Sequence, residues 1–282
     1  MATKIRGQPL ACQQKVVHLA QVAKGMGIVE QRAHGVNEGW QTKPRGSCQL
    51  DVLCQAQTMR RKELRVGTWN VTGVGGREVE LKDAMDTYKL DVLGVAETWL
   101  KKGIGIEIPG YRWAGVAGDN KTGRGGGIGF LVRESRWNQV GEVCEVSSRV
   151  IGLFLKIGKR GYWLLQVYAP VNDATKETRE KFWMELREEV ERRRRNATVI
   201  VLGDINGRVG NRQEDWEIVG RHGEESLNEN GMSCLEMCKG SSMLVMNGWF
   251  PHKKAHKVTY VQRMGDRKDR EAILDYFSVQ RS

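Results

Sequence analysis

Apolar residues in this chain come in short runs, and four of those runs stop on a polar side chain. Val199-Ile-Val-Leu202 reads as a strand buried on both faces; Gly203 follows, then Asp204 and Asn206. Leu64-Arg-Val-Gly-Thr-Trp69 leads to Asn70, Asp91-Val-Leu-Gly-Val-Ala96 leads to Glu97, and residues 162–167 lead to Tyr168. Strand residues two apart share a face, so Asp204 and Asn206 project together from the end of their strand. Further strands are expected over 124–132, where glycines allow close backbone packing, and over 150–157, 244–246, 257–261 and 271–279. Gly158-Lys-Arg-Gly161 marks a hairpin. Helices are expected over 78–88, 175–195 and 230–239. The second has an apolar stripe of Phe182, Leu186 and Val190, with Glu177 and Glu180 early and Arg192 to Arg195 late, as the helix dipole favours.

Residues 1–62 lack any lasting apolar period and read as a disordered basic tail, in which Val16-Val-His-Leu-Ala-Gln-Val22 has the makings of a short helix. Residues 63–282 read as one domain with more strand than helix. The tail carries ten Lys and Arg against three Asp and Glu, so +7 of the formal +11 charge lies there and only +4 in the domain. The charge favours an anionic partner, of which nucleic acid is the commonest, without identifying one. No apolar run reaches the length of a membrane span, so no membrane partner is expected. The six cysteines form no CxxC pair, which argues against a zinc site and fits an intracellular, reducing compartment.

One polar strand ending is a turn; an Asx turn would account for Asp204 and Asn206 on their own. Four in one domain suggest strand ends converging on a single rim, where open α/β sheets place their ligands. The residue types fit together. Glu97 offers a hard oxygen to Mg²⁺ or Mn²⁺, with Asn70 beside it. Asp204 is a base toward water, and Asn206, Asn70 and Tyr168 are neutral donors for a phosphate oxygen as charge develops on it. A metal, a water activator and anion-stabilising donors are the parts phosphodiester hydrolysis needs.

Thr68-Trp-Asn-Val71, Ala96-Glu-Thr98, Gly125-Gly-Gly127, Val167-Tyr-Ala-Pro170, Gly203-Asp-Ile-Asn206 and Leu274-Asp-Tyr-Phe277 follow one another in the order found in the endonuclease/exonuclease/phosphatase superfamily. The set most resembles the apurinic-like endonuclease domain of non-LTR retrotransposons and host proteins of the craniofacial development protein 2 type; Asn228-Glu-Asn-Gly231 and Asn247 resemble that branch too. The resemblance implies an α/β (α+β) fold, a four-layer sandwich of two packed β-sheets flanked by helices. It implies that Glu97 ligates Mg²⁺ or Mn²⁺ with Asn70 nearby, that Asp204 aligns or deprotonates the attacking water with support from Asn206, and that Tyr168 contacts the scissile phosphate. Asp275 matches the acid that orients a histidine, and Asn247 and Thr259 are candidate substrate contacts. DNA is the implied partner, and a nuclear location goes with it.

The sequence departs from the pattern in two places. No Asp, Glu or His follows Tyr276, so the Ser-Asp-His motif expected some tens of residues later is not seen, and the domain is expected to be truncated, without its last strand. His252 and His256 read as a solvated pair rather than substitutes. Thr72 stands where relatives often carry a charge. Two alternatives share these residues: a catalytically inactive nucleic-acid-binding or scaffold remnant, and a phosphatase acting on a phosphoinositide or small phosphodiester.

Overall fold

The computed structural model describes residues 16–22, 29–35, 63–118, 126–193, 197–264 and 267–281. The chain runs β1 (Val16–Val22), β2 (Val29–Gly35), β3 (Leu64–Asn70), α1 (Glu78–Thr87), β4 (Val92–Ala96), β5 (Tyr111–Val116), β6 (Ile128–Arg133), β7 (Val140–Ser147), β8 (Val150–Ile157), β9 (Arg160–Tyr168) and α2 (Lys176–Arg193). It continues with β10 (Thr198–Asp204), α3 (Trp216–Val219), α4 (Glu229–Gly240), β11 (Met243–Val245), β12 (Tyr260–Met264), β13 (Arg267–Ala272) and β14 (Asp275–Gln280). One six-stranded sheet has the order β2-β1-β3-β4-β6-β5, the other β11-β14-β10-β9-β8-β7, and β12 and β13 form a separate hairpin.

Strand parity builds three apolar layers and therefore four structural ones. Val66, Val92, Phe130 and Val132 of the first sheet meet Leu164, Ile200, Leu202 and Phe277 of the second in a core between the sheets. The alternate residues face outward: Trp69, Leu93 and Val95 pack on Leu81 and Met85 of α1. Trp163, Leu165, Val199 and Val201 pack on Phe182, Leu186 and Val190 of α2 and Leu235 of α4. Each such side chain, fully buried, contributes about 1.5–3 kcal/mol, which is why the central strands read as unbroken apolar runs. The four-layer α/β sandwich expected from the sequence is the fold observed.

Several local expectations are corrected. Val16–Val22 is a strand rather than a helix, paired antiparallel with β3 and β2; its β-branched Val16, Val17 and Val22 suit a ladder better than a helix. Two stretches of the expected tail are thus strands, and they extend the first sheet beyond β3 to six strands. β5 and β7 went unrecognised because they lie on sheet edges and carry Gly, Arg and Glu; β7 is largely exposed. The expected strand over 271–279 is two, because the Thr259 hydroxyl captures the backbone N–H groups of Leu274 (2.8 Å) and Asp275 (3.3 Å) and turns the chain out of the hairpin. The start of the strand expected over 257–261 is preceded by a helical turn at Lys254–His256, and β12 begins at Tyr260. Arg193, placed late in α2 as the dipole favours, is also held by packing: it stacks 3.8 Å from the Trp163 ring centroid and bonds Glu189 and Glu142.

The starts of β3 and β4 are pinned by one buried ion pair. Arg136 Nε lies 2.8 Å from Asp91 Oδ1, with both side chains 8% exposed, while Arg136 Nη2 donates to the Glu63 carbonyl and Asp91 Oδ2 accepts from Arg65 N–H. Arg136→Met strands a buried carboxylate and should cost about 3–5 kcal/mol in urea unfolding. In the last turn of α1, bonds from Lys82, then the Tyr111 hydroxyl, hold the Asp86 carboxyl down at about 2, against an ordinary 3.8. Because the folded value is the lower one, this stabilisation is whole above 3.8 and lost as pH falls through about 2. The stability gap between wild type and Asp86→Asn should close across that window, read by urea midpoints at each pH.

Candidate active site

The four strand endings singled out in the sequence meet at one end of the gap between the sheets. Asn70 pairs in register with Ala96 across β3 and β4; Asp204 pairs with Tyr168 on one side and Asp275 on the other. Parity explains the meeting. Val66, Val92, Leu164, Ile200, Leu202 and Phe277 face the inter-sheet core, and Asn70, Ala96, Tyr168, Asp204 and Asp275 continue the same faces to the rim. One step deeper, Thr68 Oγ1 donates to Gln166 Oε1 (3.2 Å) across the gap. Gly94 makes room for that amide: a Cβ there would lie 1.8 Å from Gln166 Oε1.

The centre of the site is the Asn70 carboxamide. Its Nδ2 donates to Glu97 Oε1 (2.8 Å) and to Asp204 Oδ2 (2.9 Å), and its Oδ1 accepts from the Thr72 backbone N–H (3.1 Å). Asp204 Oδ1 accepts from the Asn206 N–H (2.8 Å), so the Asx turn is present and it aims the carboxylate. Asn206 Nδ2 donates to the Ala169 carbonyl (2.8 Å), joining the loops after β9 and β10. The Tyr168 hydroxyl lies near enough to Glu97 and Asp204 to feel both carboxylate charges. Glu97, Thr72, Trp99 and Asn206 all have φ between 46° and 56°, four of the six non-glycine residues with positive φ among those described. Such backbone strain gathers at functional sites.

Burial is the main force on the site's acids. Asp204, 1% exposed, is pushed above the usual carboxylate range by desolvation and by the Glu97 charge, against the bonds from Asn70 and the Asn206 N–H. Desolvation raises Tyr168 too, helped by Glu97. Asp275 is raised by desolvation and then by Asp204, and its Oδ1 has no hydrogen-bond partner among the described residues.

Asn247 and Thr259, the candidate substrate contacts, lie against the backbone that carries this acid. The Asn247 carboxamide donates to the Asp275 carbonyl (2.9 Å) and accepts from the Phe277 N–H (3.0 Å), and the Thr259 hydroxyl accepts from the Asp275 backbone N–H. Both are buried with their polar groups engaged, so they support β14. Sequence reasoning missed Arg149, whose guanidinium sits 5.4 Å from the Tyr168 ring centroid and donates to the Tyr168 carbonyl. It lies in the β7–β8 turn and carries no sequence signal. It also missed Gln166, a lone polar residue on an inward strand face.

Among the described residues no group of three or more His, Cys, Asp or Glu could by itself hold a metal. The donors present still fit Mg²⁺ or Mn²⁺, which is commonly bound through one or two carboxylates with water completing the shell. Glu97 and Asp204 share one amide nitrogen, and Glu97 raises the proton affinity of Asp204, so a divalent cation would relieve a repulsion the fold has built in. Zinc would ask for softer ligands.

The architecture and the rim can now be set against known proteins. The chain has the endonuclease/exonuclease/phosphatase fold. It superposes on an AP endonuclease from Leishmania major (TM-score 0.54, 19% identity, 76% of this chain and 78% of that one). It also superposes on a 3'-5' exonuclease from Neisseria meningitidis (TM-score 0.50, 16% identity, 76% and 86%). In sequence it is similar to craniofacial development protein 2 of Bos taurus, 25% identical over 244 residues, and of Tragulus javanicus, 25% identical over 248 residues. Those matches take in 85% and 86% of this chain but 40% and 42% of the relatives, so the chain spans about two-fifths of their length. No family model matches. Among the described residues no helix is long and apolar enough to cross a membrane.

A cation that binds only the folded site stabilises it by mass action, about 2.7 kcal/mol at a hundredfold excess over its Kd. Mg²⁺ or Mn²⁺ should therefore raise the melting temperature, and Glu97→Gln should abolish the increment without lowering the metal-free midpoint by a similar amount.

Proposed function

We propose that this chain hydrolyses phosphodiester bonds in DNA, with Mg²⁺ or Mn²⁺, as an endonuclease of the retrotransposon type acting in the nucleus. The observation that carries the reading is the Asn70 amide bonded at once to Glu97 and Asp204. DNA as substrate is supported by the motif order and by the AP endonuclease and 3'-5' exonuclease that share the fold. Glu97, with Asn70 beside it, would hold the cation; when bound, the cation supplies positive charge to the phosphate and the leaving oxygen.

The chain's own residues take the remaining parts. Asp204 is fixed by two hydrogen bonds, so its carboxylate has one orientation from which to accept the proton of an attacking water. The water oxygen bonds to phosphorus in line, the opposite P–O bond breaks, and the departing alkoxide takes a proton from solvent. The Tyr168 hydroxyl, kept protonated by burial, is a donor for a non-bridging oxygen as charge builds there. Asn206 holds the loop that follows Tyr168 against the loop that follows Asp204. Arg149 contributes a cation beside Tyr168.

Nicking of supercoiled plasmid tests the reading. Wild type should convert it to open circle with Mg²⁺ and stop on chelation, and Asp204→Ala and Glu97→Gln should each slow the step by at least about 10²-fold. Equal, near-zero nicking by wild type and Asp204→Ala refutes hydrolysis; if DNA is then still retained in a salt-dependent way, the chain is a binding remnant.

A further inference from the structure

The sequence Asn228-Glu-Asn-Gly231 is left without a role by the hydrolysis described above, yet it sits against the backs of both loops that carry the site. Asn230, 1% exposed, spreads one carboxamide over three elements. Its Nδ2 donates to the Pro170 carbonyl (2.8 Å) and the Asn206 carbonyl (3.1 Å), and its Oδ1 accepts from Trp183 Nε1 of α2 (3.2 Å). Its own N–H donates to Asn172 Oδ1 (3.4 Å). Pro170 is two residues past Tyr168, and Asn206 two residues past Asp204.

The flanking residues make the contact stiff. Asn228 caps α4: its Oδ1 accepts from the Gly231 N–H and from the Arg208 N–H, both at 2.9 Å. Gly231 and Gly207 let the helix end touch the loop backbone. A Cβ on Gly231 would lie 1.8 Å from the Arg208 carbonyl oxygen, and one on Gly207 2.8 Å from Asn230 Cβ. Asn206 sits at φ 46°, a conformation that costs energy and needs holding.

The geometry points to Asn230 as a positioning residue: its carboxamide sets the separation between the loop that follows Tyr168 and the loop that follows Asp204. This rests on the hydrolase reading for its effect on rate, though not for the clamp itself. Asparagine suits the place because an amide offers two donors for two carbonyls and an acceptor for the indole N–H. An aspartate of the same shape would turn oxygen toward both carbonyls. Misplacement of reacting groups by about 1 Å can cost 10²-fold in rate.

The test uses the full chain with Asn230→Asp, and with Trp183→Phe, which keeps an aromatic ring in the core but removes the indole N–H that orients the amide, together with the pyrrole half of the ring. Both are assayed at a temperature where circular dichroism finds them folded. Asn230→Asp should lower kcat for plasmid nicking about 10²-fold with KM within about threefold, and Trp183→Phe should lower kcat by less in the same pattern. Amide hydrogen exchange gives a readout that needs no turnover. Protection should fall together at Ala169 and Ile205 while Leu235 and Met237 inside α4 keep theirs. If folded Asn230→Asp keeps wild-type kcat, or if the two loops keep their protection, the positioning role is overturned. If wild type itself does not turn over, the hydrolase reading fails alone and the exchange result still decides the clamp.

Discussion

One nitrogen atom holds the site together. Asn70 Nδ2 stands between the carboxylates of Glu97 and Asp204, two like charges that would otherwise part, and gives a hydrogen to each. The two acids come from different sheets, so this bond exists only if the sheets pack with their strand ends level. The inter-sheet core supplies the force, and Thr68 with Gln166 supplies the alignment. A buried polar pair inside an apolar layer is costly when unmatched and specific when matched. Gln166 reaches across because Gly94 leaves the space.

The loops beyond the rim obey a second constraint. Four residues there occupy left-handed backbone, each a cost of about 1–3 kcal/mol. They are held by a web of main-chain partners: the Asn206 amide on the Ala169 carbonyl, the Ala169 N–H on the Asp204 carbonyl, and the Asp204 carboxylate on the Asn206 N–H. Gly203, at φ 135°, lets β9 and β10 come close, since a Cβ would lie 2.1 Å from the Val167 carbonyl oxygen. The site thus draws on the stability of the helices and sheets behind it, with α2 and α4 bracing the loops from outside.

Much of this was legible in the sequence. The inward strands announced themselves as runs such as Val199 to Leu202, since both faces are covered, and their polar endings gave Asn70, Glu97, Tyr168 and Asp204 directly. The stripe Phe182, Leu186 and Val190 gave α2. Glu189 was not legible as a buried residue, because its burial depends on Arg192 and Arg193 one turn on, which pair with it. The edge strands β5 and β7 were hidden because an edge tolerates Arg, Glu and Gly that a central strand rejects. Asn247 and Thr259 carry polar groups that a sequence offers to a substrate; the fold spends them on the backbone of β14, and no local pattern distinguishes the two uses. Asn230 lay inside a motif whose spacing was visible, but its partners are 24 to 60 residues away along the chain.

The common parity of the rim residues has a consequence for how this molecule can go wrong. A slip of one residue in the pairing of β3 with β4, or of β9 with β10, would swap every inward side chain for an outward one. Both faces of these strands are apolar, so the interior would stay apolar but lose its fitted packing, and the acids at its mouth would be lost in the same step. A misregistered chain therefore has no well-packed form in which faulty chemistry could persist, and folding proofreads the site without any separate safeguard.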